Sequence, residues 1–120
     1  MILHSAKPVH RDRILTVCRG GRVRSVAVRY WLHEHSGYPC DVIAAGAEAN
    51  SLETLNMLAN WADRIIICSR SVADNLCPHL LILHKTIVVD LGPDIWDNEK
   101  HFDLRSKVSK LMKPVVDSWK

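Results

Sequence analysis

The chain has 120 residues, 48% of them hydrophobic, with a formal net charge of +3. That size and apolar content fit one compact domain with its own core, while no apolar run approaches the roughly 18 residues of a membrane span. The charge falls short of the strongly basic balance of a dedicated nucleic-acid binder, so a local cluster, Arg19, Arg22 and Arg24 with Arg29 further on, matters more than the total.

The first residues, MILHSAKPVHRDR, are polar, hold one proline and lack the apolar centre of a secretion signal. They predict a flexible arm over 1–12 and a cytoplasmic protein without membrane attachment. Residues 13–120 read as a single domain, free of repeats and low-complexity stretches. RILTV at 13–17 is β-branched and apolar and predicts a strand ended by a glycine-rich turn. SVAVRYWLHEHSG predicts a helix that Ser25 can cap and Gly37 can end. CDVIAAG at 40–46 is a second strand. NSLETLNMLANWAD is a second helix, with Asn50 and Glu53 at capping-box spacing and Leu52, Leu55, Leu58 and Ala59 as its apolar stripe. RIIICS at 64–69 is a continuous apolar run, as expected of a strand covered on both faces. A short helix and loop follow in SVADNLCPHL, then a strand in KTIVVDL at 85–91 and a loop in GPDIWDNEKHFD. FDLRSKVSKLMKPVVDSW predicts a last helix interrupted near Pro114.

The alternation of strands and helices predicts an α/β fold: a single three-layer domain with a four-stranded parallel sheet and helices on both faces. In such sheets ligands bind beyond the carboxyl ends of the strands. The loop after the first strand and the GPDIW loop after the fourth should therefore share one edge.

Cys18-Arg19-Gly20-Gly21-Arg22-Val23-Arg24-Ser25 forms the first of these loops, a cysteine and an arginine separated by five residues. A strand-to-helix loop can turn its backbone N–H groups toward one centre, and the helix N-terminus adds partial positive charge. Gly20 and Gly21 allow the backbone angles this needs. The result is an anion cradle of phosphate size, also suited to sulfate, formed by Arg19, Gly20, Gly21, Arg22 and Val23. Cys18 at its base is in a setting that favours thiolate. Arg24 can close on two phosphate oxygens, and the Ser25 hydroxyl can support the thiolate as well as cap the helix. A thiolate beneath a phosphoryl group can attack in line and form a phosphocysteine. The leaving group then needs a general acid. Asp94 is the candidate, with Trp96 beside it to exclude water or stack on an aromatic leaving group. Asp90 and Asp97 are its rivals, and Asp90 also reads as a cap at a strand end. Arg19 and Arg22 read equally well as solvated charges.

No cofactor or metal is expected. The four cysteines, Cys18, Cys40, Cys68 and Cys77, form no CxxC pair, and the seven histidines are scattered. Neither a GxxxxGK[ST] nor a GxGxxG motif is present. Cys68 reads as a small buried hydrophobe, and Trp31 and Trp61 as core residues.

The cysteine-to-arginine loop after the first strand, followed late by a proline-aspartate-x-aromatic loop, resembles low-molecular-weight protein tyrosine phosphatases. AGAEA, WADRIIICSRSVADNL and TIVVDLGPDIWD are similar to the strand and helix junctions of a short bacterial branch of that family. The resemblance spans residues 13–108. It implies Cys18 as nucleophile, Arg24 as phosphate binder, Ser25 as thiolate partner and Asp94 as general acid, acting on a phosphorylated protein or small phosphomonoester. Gly21 stands where the family usually has a bracing asparagine, and Val23 where a second cysteine often stands. Two other readings keep the scaffold: an arsenate reductase using Cys68 or Cys77, and a module that binds phosphate or a phosphoprotein without turning it over. No nucleic-acid partner is expected.

Overall fold

The computed structural model describes residues 11–120. All but the last two residues of the predicted arm lie outside this range, and Asp12 already belongs to the first strand. The elements run β1 (Asp12–Cys18), α1 (Arg24–Glu34), β2 (Cys40–Gly46), α2 (Leu52–Trp61), β3 (Arg64–Ile67), α3 (Arg70–Asn75), α4 (Pro78–Leu81), β4 (Thr86–Val88) and α5 (Phe102–Trp119). The sheet is four-stranded and wholly parallel in the order β2-β1-β3-β4. The chain leaves β1 for β2 on one side and then crosses to β3 on the other. The carboxyl end of β1 is therefore the switch point at which open parallel sheets bind ligands.

Strand alternation sorts the core into two layers. Ile14, Cys18, Val42, Ile66 and Cys68 face α1 and α5. Leu15, Val17, Ala45, Ile65 and Ile67 face α2, α3 and α4. The apolar run of β3 is fully buried because helices cover both its faces. Trp31 is buried and Trp61 half-buried, each within its layer.

Several local expectations change. The helix caps move. Val23, not Ser25, stands at the N-cap of α1 and offers it no side-chain hydrogen bond. Ser51, not Asn50, caps α2, accepting from the Thr54 N–H at 3.1 Å. Both changes follow from competing demands on the serine and asparagine side chains at the sheet edge. Gly37 does take the left-handed conformation, with φ of 67°. Leu52 at the head of the α2 stripe is 61% exposed, since only Leu55 and Ala59 reach the sheet fully. The predicted fourth strand shortens to three residues, although Val89 and Leu91 still donate to the Ile67 and Cys68 carbonyls.

Helix α5 is not interrupted at Pro114. Leu104, Val108, Met112 and Val116 recur every fourth residue and are all buried against the α1 side of the sheet. Burying each such side chain contributes about 1.5–3 kcal/mol, enough together to offset the roughly 3 kcal/mol cost of an interior proline. Pro114 itself faces solvent, where water can satisfy the carbonyl that its missing N–H leaves open.

Candidate active site

Four segments meet at the carboxyl edge of the sheet. Cys18 ends β1 and is 2% exposed beneath the loop that follows. The Gly21 N–H donates to its sulfur at 3.2 Å, and the Ser25 hydroxyl lies 3.1 Å from it in a second hydrogen bond. Ser25 is therefore spent on the cysteine instead of on the end of α1. Its carbonyl accepts from the Thr16 hydroxyl at 3.0 Å, which fixes the first turn of the helix to the strand below.

Arg24 is the unusual residue. Its side chain is 3% exposed, and its Nη1 donates to the Gly92 carbonyl at 2.8 Å. Its Nε is buried and has no hydrogen-bond partner among the described residues. Among the described residues the one acid paired with it, Asp94, stands 4.0 Å from that Nε and is half exposed. A buried guanidinium with an unspent donor is costly unless an anion completes it.

The loop carrying the general-acid candidate is held from three sides. Asp90 accepts from the Gly92 N–H at 3.0 Å and from the Arg70 N–H at 3.4 Å. It is thus the cap that one reading of the sequence made it, tying the loop to the start of α3. Lys107 of α5 donates to the Leu91 carbonyl at 3.2 Å. Gly92 takes φ of 82°, which points its carbonyl at Arg24. Asp97 is exposed further along the loop.

A cleft of about 400 Å³ opens beside these residues, and Arg19, Arg24, Asp90, Asp94, Ser69 and Ser71 are among the residues that line it. Cys18 lies under the loop, not on the cleft wall. Arg19 reaches outward to Glu48, an exposed pair at 2.8 Å, and Arg22 is exposed. Val23 is half-buried against the core. Trp96 is half-buried too, tilted against His101 with ring centroids 5.1 Å apart, and does not line the cleft.

Sequence reasoning missed how the loop is braced. Gly20 and Gly21 back directly onto Gly46, the last residue of β2. A Cβ on Gly46 would stand 2.5 Å from the Gly20 carbonyl carbon, and one on Gly21 would stand 2.6 Å from the Gly46 nitrogen. Gly21 also has φ of 72°. An asparagine at position 21 has no room, and the brace comes from the neighbouring turn instead. The Ala47 and Glu48 N–H groups donate to the Cys18 and Arg19 carbonyls at 2.8 and 2.9 Å. Asn50, freed from capping, accepts the Gly46 N–H at 2.9 Å. The available signal was a glycine closing a strand beside a loop with two glycines, which marks a close backbone approach. Gly46→Ala should therefore displace the loop without unfolding the sheet. We expect a loss of about 100-fold in turnover, with a circular dichroism spectrum like that of the parent. Parental activity would show that the loop tolerates the shift.

Burial pushes the thiols of the other cysteines up. Cys77 rises to about 11 through desolvation, and Cys68 rises well above its usual value through burial and, secondarily, its neighbour Cys18. Both are fully buried and protonated at neutral pH. Among the described residues no group of three or more His, Cys, Asp or Glu side chains is placed to hold a metal ion, and no helix is long and apolar enough to cross a membrane.

No protein-family model and no curated protein sequence matches the chain. Among solved structures it is similar to the YwlE arginine phosphatase from Geobacillus stearothermophilus, with a TM-score of 0.57 over 90% of both chains and 17% sequence identity. The chain has the low-molecular-weight protein tyrosine phosphatase fold. That match and the parallel sheet bear out the predicted architecture, while identity at this level establishes the fold alone.

Proposed function

We propose that the protein is a cysteine-dependent phosphatase. The observation that carries this is the buried Arg24, with its Nε unpartnered 4.0 Å from Asp94, at the far end of the loop that begins at the buried Cys18. In this reading an incoming phosphoryl group supplies the missing anion. Arg24 and the loop N–H groups hold its oxygens and stabilise the charge that gathers on them. The Cys18 thiolate attacks phosphorus as the bond to the leaving group breaks, and Asp94 gives the leaving group its proton. Water then attacks the phosphocysteine and passes a proton to Asp94. The sulfur–phosphorus bond breaks, and free phosphate and the thiolate are restored. The Gly21 N–H donates to the sulfur, and the Ser25 hydroxyl, which accepts from the thiol, can turn its own hydrogen to the thiolate between turnovers. No metal is required, since the cradle supplies the positive charge.

The decisive assay is release of p-nitrophenol from p-nitrophenyl phosphate in the presence of a chelator, with acid-quenched protein weighed for one added phosphoryl group. Turnover with such an adduct is expected. A folded protein that binds phosphate and never turns over would instead be the binding module, and a dependence on thiol reductant with arsenate would make it a reductase. The buried, protonated Cys68 and Cys77 weigh against that last reading.

Asp94→Asn should retain phosphate binding and lose about 100-fold in rate on an alkyl phosphate, whose leaving group needs a proton. The loss on p-nitrophenyl phosphate should be much smaller. If the two losses are equal, Asp94 is not the acid.

One observation favours a second substrate over phosphotyrosine. The cleft holds Asp90 and Asp94 and no aromatic ring, because Trp96 is packed elsewhere; Ser69, Ser71 and Asn75 add small polar groups, and Arg19 and Arg24 are the cations left for the phosphoryl group. With the arginines taken by the phosphoryl group, two carboxylates and no ring to stack on a phenol suit a guanidinium leaving group. Phosphoarginine and phosphotyrosine peptides of otherwise equal sequence would decide between them by their kcat/KM values.

A further inference from the structure

We propose that the groove between α1 and α5 docks an acidic peptide segment anchored by an apolar side chain. The groove is a cavity of about 580 Å³ on the face formed by those two helices, and it shares no lining residue with the catalytic cleft. Tyr30, Trp31 and Phe102 supply its apolar surface, and Lys100, Arg105 and Lys113 its charge. No aspartate or glutamate lines it.

The charge continues beyond the groove. An adjoining cavity of about 270 Å³ shares Trp31, His35 and Lys113 and ends at Lys120, with Asp117 as its one acid. The two together form a trough along α5. That helix has 18 residues and so is about 27 Å long, room for an extended or one-helix segment but far more than a single anion needs. Phe102 is 78% exposed and Tyr30 40% exposed, large apolar groups left open beside the cations. A partner with carboxylates flanking a leucine or aromatic side chain matches both features, charge giving orientation and the apolar contact giving affinity.

Cations beside aromatic rings can also suit single-stranded nucleic acid, which stacks its bases on open ring faces. Here the Tyr30 face is taken. The Arg105 guanidinium sits 4.6 Å over its ring, and His35 packs against it with centroids 5.6 Å apart. Trp31 is 7% exposed, so its ring forms floor, not platform. A peptide side chain can enter such a trough beside Phe102, whereas successive bases would find that one ring open and no second face on which to stack.

The test is to select from a random displayed-peptide library on the full chain and to measure the winners by fluorescence anisotropy. The selected peptides should be rich in Asp and Glu around an apolar residue. They should bind more weakly at higher salt and lose about tenfold or more in affinity for Lys100→Glu/Lys113→Glu. Both lysines are exposed, so the reversal leaves packing intact, and p-nitrophenyl phosphate turnover should not change. Phe102→Ser should weaken the same peptides while leaving their salt dependence in place. Any of four results would overturn the proposal: no enrichment, enrichment without acidic residues, affinity unchanged by charge reversal, or tighter binding of a single-stranded oligonucleotide to the same surface. A salt-sensitive dimer abolished by the reversal would also overturn it, by making the occupant a second copy of the chain.

Discussion

Cys18→Ser is expected to bind phosphate as the parent does and to hydrolyse no phosphate ester. The loss should be on the order of 10⁴-fold or more, since removing the nucleophile from a covalent mechanism removes the route itself. The substitution is close to isosteric, and the serine hydroxyl can accept from the Gly21 N–H and donate to the Ser25 oxygen as the thiol now does. Arg24, the loop backbone and the Asp94 loop are untouched, so calorimetric titration with inorganic phosphate should give nearly the parental affinity. This separates two roles that most substitutions here would confuse. Residual turnover near the parental rate would rule out a phosphocysteine, and lost phosphate affinity would mean that the variant had disturbed the cradle.

Arg24→Lys should cost about 10³-fold in kcat/KM although the charge is conserved. The guanidinium does two things at once. Nη1 holds the Gly92 carbonyl, and Nε is left without a partner, the donor that the proposed mechanism gives to phosphate. A lysine presents one compact ammonium and cannot form the planar fork that reaches both. If it holds Gly92, the phosphate loses its cation; if it turns to the phosphate, the Asp94 loop loses its tie to α1. Direct titration distinguishes the outcomes. A large loss of phosphate affinity with a small further loss in kcat indicates the first, and retained affinity with a large loss in kcat the second. Full activity in the lysine variant would show that fork geometry is irrelevant.

What the sequence revealed depended on whether the signal was contiguous. Cysteine, glycines, arginines and serine fall in eight successive residues after an apolar strand, so loop and strand could be read together. The parallel sheet followed from alternation, and the buried β3 from its unbroken apolar run. The brace at Gly46 and Asn50 was not legible in this way, because its meaning lies in contacts between segments remote in sequence. Asn50 looked like a cap by local spacing, and Ser25 did too. In each case a tertiary hydrogen bond at the sheet edge took the side chain, and a neighbour or the backbone took over the helix end. Pro114 failed in the same manner. A local breaker was outweighed by four buried side chains on the opposite face of α5. Trp96 was placed by its nearness in sequence to Asp94, but an indole gains more from the apolar layer beneath α5 than from an open polar cleft.

The contact between Gly46 and the Gly20–Gly21 backbone also limits how this protein can vary. Most packing contacts permit exchange, because one side can shrink as the other grows. This one offers no such trade. Both partners are already at the smallest residue, the atoms in the way are main chain, and Gly21 must also keep a positive φ. Randomising positions 20, 21 and 46 together and selecting for activity would therefore return glycine at 21 and 46, whatever the library offered. Position 20, whose own Cβ would meet nothing within 4 Å, would drift. Diversity in how the protein chooses its substrates must enter through the rim and the opposing loop, because the floor of the loop has no neighbouring sequences to move to.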